Sequence, residues 1–138
     1  MGKINRDKKI LIIDPDRKER KCLQLYLKKE EYLVETGGNL ADAIKKISEH
    51  CYDCLILDVA LPEMKGYDAV PILKHIDPDV RIILTTKKNS KKLESKVREQ
   101  NIFFYYIKSF GKDELKLAIR NAFEPISIEN KGEKNEGE

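Results

Sequence analysis

Four chemically capable residues each follow an apolar run: Asp14 after Ile10-Leu-Ile-Ile13, Asp58 after Leu55-Ile-Leu57, Thr85 after Val80 to Leu84, and Lys108 after an aromatic run ending at Ile107. Short apolar runs of this kind read as buried strands. Each group is therefore delivered by the C-terminal end of a strand, the edge at which open α/β sheets bind ligands. Two carboxylates at neighbouring strand ends suit a hard cation, since Mg²⁺ commonly takes one or two carboxylates together with waters and phosphate oxygens. A hydroxyl and an ammonium on the same edge suit the remaining oxygens of a phosphoryl group. The pattern points to a cation or phosphoryl site centred on Asp58, which opens the stretch Asp58-Val-Ala-Leu-Pro-Glu-Met-Lys-Gly66.

The elements that must position these groups alternate. Strands are expected at Lys9 to Asp14, Tyr32 to Glu35, Asp53 to Asp58, Val80 to Leu84 and Phe103 to Ile107. Helices are expected at Arg17 to Glu30, Leu40 to Glu49 with Asn39 as N-cap, Tyr67 to Ile76, Ser90 to Gln100 and Lys112 to Phe123. Gly37-Gly38 reads as a turn, and Asn101 suits the left-handed position that ends a helix. Five strand–helix repeats of this length imply a parallel sheet with helices on both faces.

The chain has 138 residues and a net charge of only +3, which suits one domain and argues against a general nucleic-acid binder. Charge is uneven, however: six bases stand against one acid between Lys87 and Arg98, and five acids against two lysines from Glu124 to Glu138. The basic run reads as a solvated helix face or as a surface for an acidic partner. The folded domain is expected over 1–124, with 125–138 a flexible tail or the start of a linker. No apolar run approaches the ~20 residues of a membrane span, and no signal-peptide core is evident, so the expected setting is cytoplasmic. Three cysteines suit a reducing compartment. Cys51 and Cys54 form a Cys-x-x-Cys, but no second pair completes a zinc set and no helix follows as a redox motif requires, so they read as a loop cysteine and a strand cysteine.

With these residues in order, the chain resembles the receiver domain of two-component response regulators over roughly residues 8 to 123. The family pattern is an acidic pair after the first strand, Asp-x-x-x-Pro-x-x-x-Gly after the third, Thr or Ser after the fourth and Lys-Pro-Phe after the fifth; here Asp58, Leu61-Pro62, Gly66, Thr85 and Lys108 stand at those places. The resemblance implies a flavodoxin-like, doubly wound five-stranded parallel sheet of order 2-1-3-4-5 with five helices. It implies a signalling module rather than an enzyme, in which Asp58 accepts a phosphoryl group from a sensor histidine kinase or phosphotransfer protein. Asp14, Asp58 and the backbone carbonyl of Ala60 would hold Mg²⁺, Thr85 would bond the acyl phosphate, and Lys108 would pair with it. Tyr105, three residues before that lysine, matches an aromatic that swings inward on activation. The output would pass through protein contacts, by way of an output protein, a fused output domain, or a twin receiver docked on the face of the fourth helix, fifth strand and fifth helix. Neither nucleic acid nor membrane is a direct partner.

Three departures accompany the resemblance. Pro15 stands where the family has its second carboxylate, so Mg²⁺ binding loses a ligand. Asp16 has two readings: a substitute ligand, or a helix N-cap with Glu19 completing a capping box. Ser109 replaces the proline after Lys108, and a cis bond there would cost about 3–4 kcal/mol, against 0.5–1 before proline. Glu31 occupies the usual glycine after the first helix, and Glu19 a common apolar position. Pro15 and Ser109 support an alternative, a pseudo-receiver that binds partners independently of phosphorylation, with Asp58 in a structural ion pair with Lys108, whereas Glu31 and Glu19 bear on stability more than on chemistry. Thr86 is the register alternative to Thr85. A flavin or nucleotide enzyme on the same fold is disfavoured, because Asp14-Pro-Asp-Arg17 lacks a phosphate-binding loop.

Overall fold

Alternating apolar runs and amphipathic stretches fold into alternating strands and helices. The computed structural model describes residues 8–123, and the expected tail over 125–138 lies outside them. The elements are β1 (Lys9–Ile13), α1 (Arg17–Lys29), β2 (Leu33–Gly37), α2 (Leu40–Glu49), β3 (Cys54–Asp58), α3 (Gly66–Ile76), β4 (Arg81–Thr86), α4 (Lys91–Arg98), β5 (Phe104–Ile107) and α5 (Lys112–Phe123). All strand pairs are parallel, in the expected order β2-β1-β3-β4-β5. None of the described helices is long and apolar enough to cross a membrane.

The central strands are apolar through their middles because both of their faces are covered. On one face Leu11, Ile13, Leu55, Leu57, Ile82 and Leu84 pack against Leu40, Ala43 and Ile47 of α2, Ala69, Val70 and Leu73 of α3, and Val97 of α4. On the other, Ile10, Ile12, Ile56 and Ile83 pack against Leu23 and Leu27 of α1 and Leu115 and Ile119 of α5. The period-two alternation of a strand sends neighbouring residues into opposite cores. A fully buried Leu or Ile contributes about 1.5–3 kcal/mol, so this double core fixes the register strongly. That register sets Ile13 beside Leu57, Asp58 beside Thr85, and Thr86 beside Ile107. The strand order reverses between β1 and β3, so Asp14 and Asp58 flank the crevice where such sheets bind ligands.

Some boundaries differ from expectation. β2 continues to Gly37, which pairs with Ile13, so Gly37 is a strand end rather than a turn. β4 runs on through Thr86 because β3 and β5 both pair with Thr85 and β5 continues to pair at Thr86. Asn101 does not take the left-handed conformation; among described non-glycine residues Glu31 alone does, at φ 68°. Its backbone N–H donates to the Lys28 carbonyl at 2.9 Å and closes α1. A left-handed residue with a Cβ costs about 1–2 kcal/mol, which explains why glycine suits this position.

Candidate functional site

Asp14, Asp58, Thr85 and Lys108 meet at the C-terminal edge of the sheet. The Lys108 ammonium lies 2.8 Å from Asp14 Oδ2 and 2.9 Å from Asp58 Oδ1, bridging the ends of β1 and β3. The Thr85 hydroxyl donates to the same Asp58 Oδ1 at 3.1 Å. Thr86, the register alternative, instead donates to the Lys88 carbonyl at 3.0 Å. Asp14 and Asp58 are only 4 % and 6 % exposed, so these bonds lie in a medium that screens them weakly. One ammonium serves two carboxylates. Burial pushes the Asp14 carboxyl above its usual range despite the Lys108 bond. Burial also pulls on the Lys108 ammonium, but its bonds to Asp14 and Asp58 win and hold its pKa above the ordinary lysine value.

The loop after Asp58 is built to hold that carboxylate still. The Ala60 N–H donates to Asp58 Oδ2 at 2.9 Å. An antiparallel bridge between Ala60 and Lys65 and a 2.8 Å bond from Gly66 N–H to the Val59 carbonyl fold the loop back on itself. Gly66 is required by that approach: a Cβ there would overlap the Asp58 carbonyl oxygen and sit 2.8 Å from Val59 Cα. Glu63 ties the loop to α2, accepting from Leu40 N–H at 2.8 Å and Ala41 N–H at 3.1 Å. Helix N-termini leave such amides unpaired, so a carboxylate from outside the helix is a natural partner.

Asp16 caps α1, its Oδ1 accepting from Lys18 N–H at 3.0 Å and Glu19 N–H at 3.2 Å. The reciprocal half of the expected capping box is absent: the Asp16 N–H goes to Asp14 Oδ1 at 2.9 Å instead. Its second oxygen, Oδ2, lies 3.2 Å from the Lys87 ammonium. Bonds from Glu19 N–H, Lys87 and Lys18 N–H hold the Asp16 carboxyl below its usual range. Arg20 braces the same loop with a 2.6 Å bond to the Asp14 carbonyl. Between the two loops lies a cleft of about 440 Å³, lined by Asp14, Pro15, Asp16, Asp58, Lys87 and Lys108, among others.

Tyr105 is half-buried, and its hydroxyl donates to Asn89 Oδ1 at 2.7 Å, on the loop between β4 and α4. No described peptide bond is cis; Lys108, Ser109 and Phe110 form a 3₁₀ turn from which the lysine reaches back over the sheet edge. Cys51 is exposed in a loop and Cys54 buried in β3, where burial pushes its thiol up to about 12. Glu63, Lys87 and Arg20 were not singled out from sequence as parts of the site. Only the proximity of Lys87 to Thr85 hinted at any of them.

The cleft offers a short donor set for a hard divalent cation. Among the described residues no three His, Cys, Asp or Glu side chains group closely enough to hold a metal ion. Both Asp16 oxygens are engaged, Oδ1 capping α1 and Oδ2 facing Lys87. Two buried carboxylates sharing a single ammonium nonetheless leave negative charge uncompensated, and one or two carboxylates are what Mg²⁺ ordinarily takes from a protein. The set fits a cation bound by fewer side chains than the family pattern supplies.

Residues 10–120 match the family model of the response regulator receiver domain. The chain is 33 % identical over 113 residues to the DNA-binding transcriptional regulator NtrC of Azospirillum brasilense, covering 82 % of this chain. It spans about a quarter (24 %) of that regulator's length. Among solved structures it is similar to the response regulator TrrA of Thermotoga maritima in complex with Mg²⁺ and beryllofluoride, with 30 % identity and a TM-score of 0.74 over 83 % of this chain and 98 % of that one. It is also similar to the beryllofluoride-activated NtrC4 receiver domain dimer, with 27 % identity and a TM-score of 0.78 over 85 % of this chain and 97 % of that one.

Proposed function

This chain belongs to the response regulator receiver domain family, and on that premise we propose that Asp58 accepts a phosphoryl group and thereby switches a protein-interaction surface. The observation that carries the proposal is the convergence of Lys108 and Thr85 on one oxygen of Asp58, whose other oxygen is held by the Ala60 N–H. A preorganised carboxylate flanked by donors suits in-line attack on phosphorus, in which positioning and charge stabilisation supply most of the catalysis. The donor is the phosphohistidine of a sensor histidine kinase or phosphotransfer protein. An O–P bond forms to Asp58 as the P–N bond breaks, and the electron pair leaves with the imidazole. Lys108 follows the charge onto a phosphoryl oxygen, and Thr85 turns its hydroxyl from Asp58 toward another.

Asp14, Asp58 and the Ala60 carbonyl would hold Mg²⁺, with Asp16 kept as the helix cap. The bound ion would neutralise charge on the phosphoryl oxygens. Withdrawal of Thr85 would loosen the loop carrying Lys87 to Asn89 and with it the Tyr105–Asn89 bond. The face of α4, β5 and α5 would then change for an output protein, an output domain fused to it, or a second receiver; the dimeric NtrC4 relative supports the last.

Beryllofluoride, a non-covalent phosphoryl analogue, tests the proposal in the presence of Mg²⁺. Backbone NMR should show saturable shifts at Ala60, Thr85, Thr86 and Lys108, and none in Asp58→Asn. Their absence in wild type at saturating Mg²⁺ would overturn it. A second reading, the phosphorylation-independent pseudo-receiver, is supported by Pro15 and by the commitment of Asp16 to its cap and to Lys87. It would be rejected if Asp58→Asn abolished signalling while leaving stability and resting-state partner binding unchanged.

A further inference from the structure

The rim of the Asp58 cleft carries an ion pair between Lys87 and Asp16. Lys87 and Asp16 lie 71 residues apart in sequence, on the β4–α4 and β1–α1 loops, and their 3.2 Å contact joins the two walls of the cleft. The pair is unequal in its freedom. Asp16 is pinned, because its Oδ1 caps α1 and its N–H is tied to Asp14. Lys87 is 60 % exposed on a flexible four-carbon stem with three donors, and among the described residues Asp16 is its one ion-pair partner. The ammonium can leave; the carboxylate cannot follow.

Charge within the cleft decides where the ammonium would go. Beneath the rim, Asp14 and Asp58 share, among the described residues, the single ammonium of Lys108. A phosphoryl group brings about −1.5 to −2 charges and three strong acceptor oxygens. That is more negative charge than the lone carboxylate of Asp16 offers, and it arises in a less exposed place. Pro15 adds no ligand from the facing wall, so the cleft has room for a cation to approach from Lys87.

We propose that Lys87 is a second phosphoryl-binding cation, parked on Asp16 in the resting state and transferred to the phosphoryl oxygens when Asp58 is occupied. This rests on Asp58 being the acceptor. It assigns Asp16 to holding Lys87 and capping α1, not to ligating metal. Release of the pair also uncouples the β4–α4 loop from the β1–α1 loop, which connects occupancy of Asp58 to the segment holding Asn89, the partner of Tyr105.

Beryllofluoride binding followed by NMR at fixed, saturating Mg²⁺ separates the possibilities in wild type, Lys87→Met, Asp16→Asn and the double variant. Asn is as good an N-cap as Asp, so Asp16→Asn keeps the helix start while removing the charge. Loss of one charge-assisted bond should weaken binding by about tenfold in Lys87→Met. Freeing Lys87 should tighten binding by about twofold to fivefold in Asp16→Asn, and that gain should vanish when Lys87 is absent. Weaker binding in Asp16→Asn, with a raised Mg²⁺ requirement when the metal is titrated at fixed beryllofluoride, would overturn the inference by making Asp16 a metal ligand. Values for Lys87→Met within twofold of wild type would overturn it by making the pair a surface contact. If wild type itself fails to bind the analogue, the acceptor reading falls; if wild type binds and only the variants disagree, this inference alone falls.

Discussion

Replacing Lys108 by methionine removes the one ammonium shared by two buried carboxylates while keeping a side chain of similar length. Its bonds to Asp14 and Asp58 are 2.8 and 2.9 Å long, and the lysine side chain is 13 % exposed, so solvent can do little to replace it. Breaking a buried ion pair from one side typically costs 3–5 kcal/mol, and the partly open cleft argues for the lower end, about 3 kcal/mol. For a domain of this size that corresponds to a fall in Tm of about 12 °C. Much of the cost is repulsion between the carboxylates left behind. Adding Asp14→Asn to Lys108→Met should therefore restore about half of the loss, an interaction a double-mutant cycle detects directly. The pH dependence has a fixed sign. The folded-state pKa of Lys108 is raised above 10.5, so its contribution is fully present below 10.5 and disappears as pH rises through the higher folded value. Asp14 is raised too, so its protonation favours the folded state as pH falls through its folded pKa, and the gap between wild type and Lys108→Met should narrow in acid. Urea and thermal unfolding by circular dichroism at neutral, acidic and strongly alkaline pH measure all of this. A fall in Tm under about 3 °C, or further destabilisation on adding Asp14→Asn, would refute the reasoning that this is a buried and unbalanced triad.

Other substitutions probe the supports. Gly66→Ala should cost about 1–3 kcal/mol in thermal unfolding, because the new methyl meets backbone at Asp58 and Val59 rather than a side chain that can turn away. Glu31→Gly should stabilise the domain by about 0.5–1 kcal/mol, relief of the left-handed conformation exceeding the entropy glycine adds to the unfolded chain; an unchanged or lower denaturation midpoint would contradict it. A thiol reagent applied to native protein should modify Cys22 and Cys51 but leave Cys54 until the protein unfolds, as counted by mass.

The parts legible in the sequence share one property: they depend on periodicity or on position at the end of an element. Ile10 to Ile13, Leu55 to Leu57 and Ile82 to Leu84 could only be strands buried on both faces, and their alternation with amphipathic helices left a parallel sheet as the consistent outcome. Asp14, Asp58, Thr85 and Lys108 were legible as one group because each follows such a strand. Thr85 and Thr86 could not be separated from sequence; the pairing of Asp58 with Thr85 separates them, since neighbours on a strand point to opposite faces. Asp16 was legible as a cap because capping is local, but the diversion of its N–H to Asp14 was not. Glu63 on the amides of Leu40 and Ala41, Arg20 on the Asp14 carbonyl and Lys87 on Asp16 escape any window-based reading. The Glu63 contact joins a loop to the start of α2 and the Lys87 contact joins two loops, pairings that only the finished sheet brings together, whereas Arg20 reaches back six residues to the residue that follows β1. The left-handed turn falls at Glu31 and not at Asn101 for a related reason. Residue preference favours asparagine for a left-handed turn, but the way α1 must end before β2 demands one at Glu31.

Intact and peptide mass spectrometry after incubation with Mg²⁺ and a small phosphodonor, with acid quenching to preserve an acyl phosphate, tests the central claim most directly. A single phosphoryl adduct is expected on Asp58, lost in Asp58→Asn and reduced in Lys108→Met under conditions where both variants remain folded. Folded wild-type protein that gains no phosphoryl group at saturating donor and Mg²⁺, or gains it equally in Asp58→Asn, would contradict it.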